Sequence, residues 1–241
     1  MLRGSDGIPD FMAIVKQETG YRMLRRLNYL RYYRRWKACL RNPDPLYHEI
    51  PWINFPAIDY LRNFANKSMR VFEYGSGGST LFWAKRVKQV ISVEHDAQWA
   101  KKIATYIHRT ATHQVTLHHI SPEPAPDFAN RQIASVTDCI SDDSSFQGMH
   151  FEKYVNKILD FPDNYFDVVV VDGRARPSCL NKARKKVSPT GIIVVDNTER
   201  EYYLSEALPF LEKEGWKQID FFGPVPYLRH FCKTTVFTQT L

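Results

Sequence analysis

The chain has 241 residues, 44% of them apolar and 14% aromatic, enough to bury one substantial core with a small appendage. Its net charge is +7, and its four cysteines (Cys39, Cys139, Cys179, Cys232) lie far apart without CxxC or zinc spacing, which argues against a disulfide scaffold or structural metal and for a reducing compartment. With neither a membrane-spanning run nor a secretory leader in view, the expected location is cytoplasmic.

Residues 22–41 carry Arg22, Arg25, Arg26, Arg31, Arg34, Arg35, Lys37 and Arg41 with no acid among them, and so account for the whole net charge. Leu24, Leu27, Leu30, Tyr33 and Trp36 recur every three residues, which predicts a helix with an apolar stripe beside a cationic face. Two readings follow. The helix docks on the core and leaves its basic face in solvent, or the basic face, with Tyr29, Tyr32, Tyr33 and Trp36, meets RNA, an anionic membrane surface or a phosphorylated acceptor. Pro43, Pro45, Pro51 and Pro56 break the chain before a short helix around Ile58 to Leu61. The organisation expected is a basic, helical extension over 1–67 and one larger domain over 68–241.

From residue 70 onward strands and helices alternate. Strands are predicted at 70–74, 89–93, 114–118, 166–171 and 191–195, with helices at 79–86, 97–110, 151–159, 178–187 and 201–214. Runs such as Val168 to Val171 and Ile192 to Val195 are apolar throughout, as in strands buried on both faces of a parallel sheet. Trp216 to Phe222 and Thr234 to Thr238 read as a closing hairpin around Gly223-Pro224-Val225-Pro226. Residues 121–150 form a long irregular loop with three prolines and a Ser/Asp cluster, in which Asp142 or Asp143 is a candidate partner for an adenine amine.

The most specific signal is Val71-Phe72-Glu73-Tyr74-Gly75-Ser76-Gly77-Gly78-Ser79-Thr80, followed by Val90-Ile91-Ser92-Val93-Glu94-His95-Asp96. An apolar strand, a glycine turn, a helix and a second strand ending in Glu form the plan of a nucleoside-binding βαβ unit. Gly75 and Gly77 let a ligand approach the main chain, and Glu94 is placed to accept both ribose hydroxyls. A nicotinamide fingerprint would carry glycine at Thr80, and Glu73 would sit poorly beside a pyrophosphate. A tight strand-to-helix turn is the plainer alternative.

These residues resemble motif one of the class I S-adenosylmethionine-dependent methyltransferases, an acidic residue followed by Gly-x-Gly-x-Gly, with Ser79 standing for the last glycine. The resemblance covers about residues 68–241 and extends to Phe166-Asp167-Val168-Val169-Val170-Val171-Asp172-Gly173 and Gly191-Ile192-Ile193-Val194-Val195-Asp196-Asn197 as fourth and fifth strands. It implies a Rossmann-like, doubly wound α/β sheet of seven strands, mostly parallel with an antiparallel C-terminal hairpin strand. It also implies S-adenosyl-L-methionine as cofactor, held by Glu73, Tyr74, Gly75, Ser76, Gly77, Gly78, Ser79, Thr80, Glu94, His95 and Asp172.

Asp172 and the Asp196-Asn197 pair further resemble the metal-dependent, catechol-type O-methyltransferases, which implies Mg2+ at Asp172, Asp196 and Asn197. Arg174 and Arg176 beside this set suit an acceptor carboxylate or phosphate, and Asp172, Arg174, Asp196 and Asn197 are the candidate catalytic residues. His118 and His119 read as ordinary strand-end residues. The expected activity is methyl transfer to an oxygen of a small-molecule or glycan-like acceptor. The alternatives are an RNA methyltransferase that grips phosphates with the basic helix, and a non-catalytic adenosine-binding partner protein.

Overall fold

In the computed structural model, which describes residues 7–19, 27–110 and 112–240, seven strands form one sheet. They are β1 (Arg70–Tyr74), β2 (Gln89–Glu94), β3 (Val115–His119), β6 (Phe166–Val171), β7 (Val187–Asp196), β8 (Lys217–Pro224) and β9 (Phe231–Thr238), while β4 (Glu123–Pro124) and β5 (Met149–His150) pair separately. The order is β3-β2-β1-β6-β7-β9-β8, parallel from β3 to β7, with β9 antiparallel to both of its neighbours. This is a Rossmann-like α/β sheet, and its order reverses between β1 and β6. At such a switch point the loops diverge and leave a crevice beyond the strand ends.

Alternate side chains of the central strands feed two cores. Phe72, Val93, Val169, Val171 and Ile193 face Tyr154 of α7 (Glu152–Asn156), Leu180 of α8 (Arg176–Ala183) and Leu211 of α9 (Leu208–Lys213). Val71, Val90, Val168, Val170, Ile192 and Val194 face the other side, against α1 (Ile8–Thr19), α2 (Tyr33–Arg41), α4 (Phe55–Phe64) and α5 (Gly78–Ala84). The strands are therefore covered on both faces, as their unbroken apolar runs predict. Beside them, α3 (Pro45–His48) packs on α5, and α6 (Ala97–Arg109) begins at Asp96, whose carboxylate caps the Trp99 N–H at 2.7 Å.

The basic segment docks on the core through most of the expected stripe, with Trp36 buried and Leu30 and Tyr33 packed against the same cluster, and among the described residues only Leu27 departs from it. Arg22, Leu24, Arg25 and Arg26 lie outside the described residues. Leu27 is 55% exposed, whereas Tyr32, Trp36 and Cys39 are buried in the core that also holds Phe11 and Val15. A tight 3-10 turn at Leu30–Tyr32 winds at about three residues per turn, and Tyr32 and Cys39 join Trp36 at the buried centre of the docking face. Trp36 donates its indole N–H to the Leu228 carbonyl at 2.8 Å, and Arg35 pairs with Asp59 at 2.6 Å. Arg34 and Arg41 remain exposed. Among the described residues no helix is long and apolar enough to cross a membrane, and all four cysteines are free and buried.

Asn54 ties the N-terminal segment to the far edge of the sheet. Fully buried, it caps α4 through Ala57 N–H (3.0 Å) and donates to the Phe221 carbonyl (3.0 Å) and to Thr234 Oγ1 (2.8 Å). A buried amide is tolerable only with its hydrogen-bonding capacity met in this way. The bond to Thr234 matters because that hydroxyl also touches a strand-end carboxyl in the cleft described next.

Candidate active site

A cleft of about 880 Å³ opens at the carboxyl ends of β1, β2, β6 and β7. Gly75, Ser76, Gly77, Gly78 and Ser79 form one wall, and Glu94, His95, Asp96 and Trp99 continue it. Gly75 has φ +91°, and a Cβ there would lie 2.8 Å from the Asp172 carbonyl, so only glycine lets the turn pass this close to β6. A Cβ at Gly78 would lie 2.3 Å from the Pro45 carbonyl oxygen and 2.5 Å from that of Ile50, so α5 begins directly beneath the segment carrying Pro45 and Trp52, which also line the cleft.

Glu94 organises the nucleoside end. Its Oε2 accepts from the Ser76 N–H and from Ser76 Oγ, both at 3.0 Å, and its Oε1 accepts from the backbone N–H groups of His95 (2.8 Å) and Asp96 (2.9 Å). Burial alone would push this carboxyl up, but the hydrogen bonds from His95, Asp96 and Ser76 outweigh it and hold Glu94 below its ordinary range, ionised. His95 Nδ1 lies 2.7 Å from Glu94 Oε1, though off the line that a hydrogen bond needs, while Arg174 Nε donates to His95 Nε2 at 3.2 Å. Nε2 is then the acceptor, which assigns the ring proton to Nδ1. The His95 ring stands edge-on to Phe146, a residue of the long loop that also lines the cleft. Trp99 donates its indole N–H to the Ser76 carbonyl at 2.8 Å and braces the turn.

Three of the eleven residues expected at the cofactor stand behind this wall. Glu73, Tyr74 and Thr80 are fully buried and do not line the cleft. Glu73 Oε2 accepts from Thr80 Oγ1 (2.6 Å) and Ser92 Oγ (2.8 Å), Thr80 Oγ1 accepts from the Gly77 N–H (3.0 Å), and Glu73 Oε1 is buried without a partner. Burial, opposed in part by these hydroxyls, pushes the Glu73 carboxyl up to about 7. In this geometry Glu73 holds the turn from beneath instead of facing a ligand's cation. Tyr74 belongs to the core, its hydroxyl bonded to the Val155 carbonyl at 2.7 Å.

The other end of the cleft gathers Asp172, Arg174 and Arg176 after β6, Asp196 and Asn197 at the end of β7, Val225, Leu228 and His230 from the β8–β9 turn, and Cys232 from the start of β9. Asp196 is 2% exposed and accepts from Thr234 Oγ1 at 2.5 Å, with Cys232 Sγ at 3.8 Å from the same oxygen. Burial first, and then the charge of Asp172, push the Asp196 carboxyl well up, so Asp196 holds its proton to a higher pH than an ordinary carboxyl. Because Thr234 donates to Oδ1, Oδ2 is the oxygen left to carry that proton. Burial also raises Asp172, against the pull of Arg176 and Arg174. Asn197 and Ala175 hold left-handed φ values of +58° and +50°, local strain at the two strand ends that flank the cleft.

The donor set does not fit Mg2+ here, which corrects the expectation of a metal at Asp172, Asp196 and Asn197. One guanidinium nitrogen of Arg176, NH2, lies 3.1 Å from both Asp172 Oδ1 and Asn197 Oδ1, and fills the position between them. Asp196 Oδ1 is turned to Thr234. A hard cation needs several oxygens converging at about 2.0–2.6 Å with no cation among them. Among the described residues no group of three or more His, Cys, Asp or Glu side chains is arranged to hold a metal.

Arg174 does not offer a free fork: it pairs with Asp143 at 2.9 Å and lies over Phe146. Of the two loop acids only Asp143 lines the cleft, while Asp142 accepts from Tyr202, Tyr203 and Arg200. His118 and His119 end β3 away from the cleft. Sequence reasoning overlooked Trp52, Trp99, Phe146, Arg200, His230 and Cys232, which line the cleft from elements remote in sequence. Only Trp99, three residues into the turn after a strand-end carboxylate, carried a local signal.

No family model matches the sequence, and no curated protein does. Solved structures do resemble it. An O-methyltransferase from Bacillus cereus in complex with SAH matches at TM-score 0.54 and 14% identity, over 80% of this chain and 86% of that one. The chain has the class I methyltransferase fold. A putative methyltransferase from Streptococcus mutans, also in complex with SAH, matches at TM-score 0.51 and 9% identity, over 74% of this chain and 93% of that one. A putative rRNA methylase from Clostridium thermocellum matches at TM-score 0.50 and 14% identity, over 75% and 91%. At these identities the methyltransferase fold is what is shared, and the neighbours' acceptors differ.

Proposed function

We propose that this chain binds S-adenosylmethionine and transfers its methyl group to an oxygen of a small-molecule or glycan-like acceptor. The observation that carries the reading is the join between the Gly75–Gly78 turn and Glu94: an ionised carboxylate at the end of β2, bonded to the turn, in the wall of a cleft at the sheet's switch point. The residues fit the cofactor. Gly75 keeps side-chain atoms out of the turn, Glu94 is the acceptor for ribose hydroxyls, and Trp99, His95 and Phe146 supply flat faces beside it. Glu94 already receives four donors from its own chain, so Ser76 Oγ, the one that rotates freely, is the group that yields to a ribose hydroxyl.

When bound, the cofactor supplies an electrophilic methyl group on a sulfonium. The chain's own task is then to hold an acceptor oxygen in line, exclude water and remove the acceptor's proton. Asp196 is suited to that proton: it is in the cleft, burial raises its carboxyl and so makes its ionised form the stronger base, and Thr234 and Asn54 fix its orientation in series. Val225, Leu228 and Trp52 give the acceptor end an apolar lining that keeps water out.

Incubation with methyl-labelled cofactor and a cell extract tests the assignment. Label in a small-molecule or glycan fraction, attached through oxygen, is the expected result. Label confined to RNA would transfer the function to a nucleic-acid acceptor, and cofactor binding without label in any fraction would leave an adenosine-binding protein.

A further inference from the structure

We infer that the guanidinium of Arg176 is a built-in cation at the position a divalent metal would take between Asp172 and Asn197, so that this cleft works closed to metal. The inference rests on reading the cleft as a methyl-transfer site, and it concerns what neutralises the strand-end acids there. Arg176 is almost fully buried, its side chain 11% exposed, and it reaches across the ends of both strands. NH2 bridges Asp172 Oδ1 on the β6 side and Asn197 Oδ1 on the β7 side, and NH1 donates to Tyr203 OH at 2.7 Å. Tyr203 in turn donates to Asp142 Oδ2 at 2.8 Å, so the long loop after β3 is anchored to the same guanidinium.

Each of these contacts uses a property of arginine. A planar fork can address two acceptors on one side and a hydroxyl on another, which neither a point charge such as Lys nor a mobile ion would do without further ligands. The permanent charge also offsets the carboxylate of Asp172 inside the cleft, the electrostatic task a metal performs elsewhere. A metal bound to Asp172 Oδ1 and Asn197 Oδ1 would sit against the guanidinium. Steric overlap and charge repulsion both exclude it, and moving Arg176 aside would break its bonds to Tyr203, Asp172 and Asn197.

The test titrates Mn2+ into the full-length protein and follows the free-ion signal by electron paramagnetic resonance, with Asp172→Asn as control. Wild type is expected to bind no Mn2+ that depends on Asp172. Arg176→Ala, which removes the charge and opens the space, is expected to gain one site, with affinity improved about tenfold or more, and Asp172→Asn in that background should abolish it. A wild-type site that disappears in Asp172→Asn would overturn the inference, as would a folded Arg176→Ala protein that gains nothing. If Arg176→Ala does not fold, the wild-type arm decides, together with melting in Mg2+: an Asp172-dependent rise in melting temperature contradicts the inference and no rise supports it. SAH calorimetry on the same wild-type sample keeps the two readings apart, since lost SAH binding would undo the functional proposal while leaving the metal result intact.

Discussion

Ser76 and Glu94 are joined twice: the Ser76 backbone N–H and its hydroxyl both donate to Glu94 Oε2 at 3.0 Å, across a sequence separation of 18. The glycine turn and the end of the neighbouring strand are therefore one unit, and the carboxylate that would hold a ribose also sets the shape of the turn. Glu94→Ala should weaken S-adenosylmethionine binding by roughly 1.5–3 kcal/mol, the range for a lost charged hydrogen-bond acceptor. Calorimetry on the folded variant measures it, and unchanged affinity would remove Glu94 from the ribose site.

Glu73 predicts a pH-dependent stability difference. Its folded carboxyl is pushed up to about 7 from 4.5, so the folded state binds more protons than the unfolded state between these values, and stability falls as pH rises through that window. Gln mimics the protonated form and can still accept from Thr80 and Ser92. Glu73→Gln should be more stable than wild type at pH 8 by about 3 kcal/mol or less, with the gap closing towards pH 5. Denaturant unfolding at the two pH values checks it, and a variant less stable at pH 8 would contradict the assignment.

Gly78→Ala tests the packing of the N-terminal segment over the turn. The added methyl would meet the Pro45 and Ile50 carbonyls, both backbone atoms that cannot turn aside. Overpacking of this kind costs about 1–3 kcal/mol. The expected outcome is a lower unfolding midpoint in urea together with weaker cofactor binding, because Pro45 and Trp52 line the same cleft. A variant with wild-type stability would mean that α3 is not seated on α5 as described.

Asp196 sets the expected pH dependence of turnover on an oxygen acceptor. With its carboxyl held well above the usual range by burial and by Asp172, it carries a proton at low pH, and activity should rise with pH as that proton leaves. Asp196→Asn should lower turnover by about 10²–10⁴-fold and flatten that limb while leaving SAH affinity nearly unchanged. A preserved pH limb in the variant would assign the titration to another group.

The sheet was largely legible because its strands announce themselves locally. Val168 to Val171 and Ile192 to Val195 are apolar in unbroken runs, and the strand predicted at 70–74 coincides with Arg70–Tyr74. The glycine turn and Glu94 were legible for the same reason, since spacing along the chain fixes where each element ends. Depth within the turn was not. Nothing in the order Glu73-Tyr74-Gly75 tells that Glu73 is buried beneath the turn against Thr80 and Ser92, that Tyr74 enters the core, and that only the third residue meets the cleft. The pairing of β6 with β7 brings Asp172 and Asn197 together as sequence order suggested, but the reach of Arg176 between them was not legible, because it depends on the turn at Ala175, whose left-handed φ brings Arg176 back over the strand ends. The apolar stripe of the basic segment was legible at Leu30, Tyr33 and Trp36, whereas the burial of Tyr32 and Cys39 was not, because a 3-10 turn leaves no mark in leucine spacing.

The most direct measurement is a calorimetric titration of the purified protein with SAH, paralleled by NAD. The account predicts one SAH per chain and far weaker binding of NAD, because Thr80 fills the third glycine position of a dinucleotide turn and Glu73 lies beneath the loop that would cradle a pyrophosphate. NAD binding as tightly as SAH, or no SAH binding by the folded chain, would contradict it.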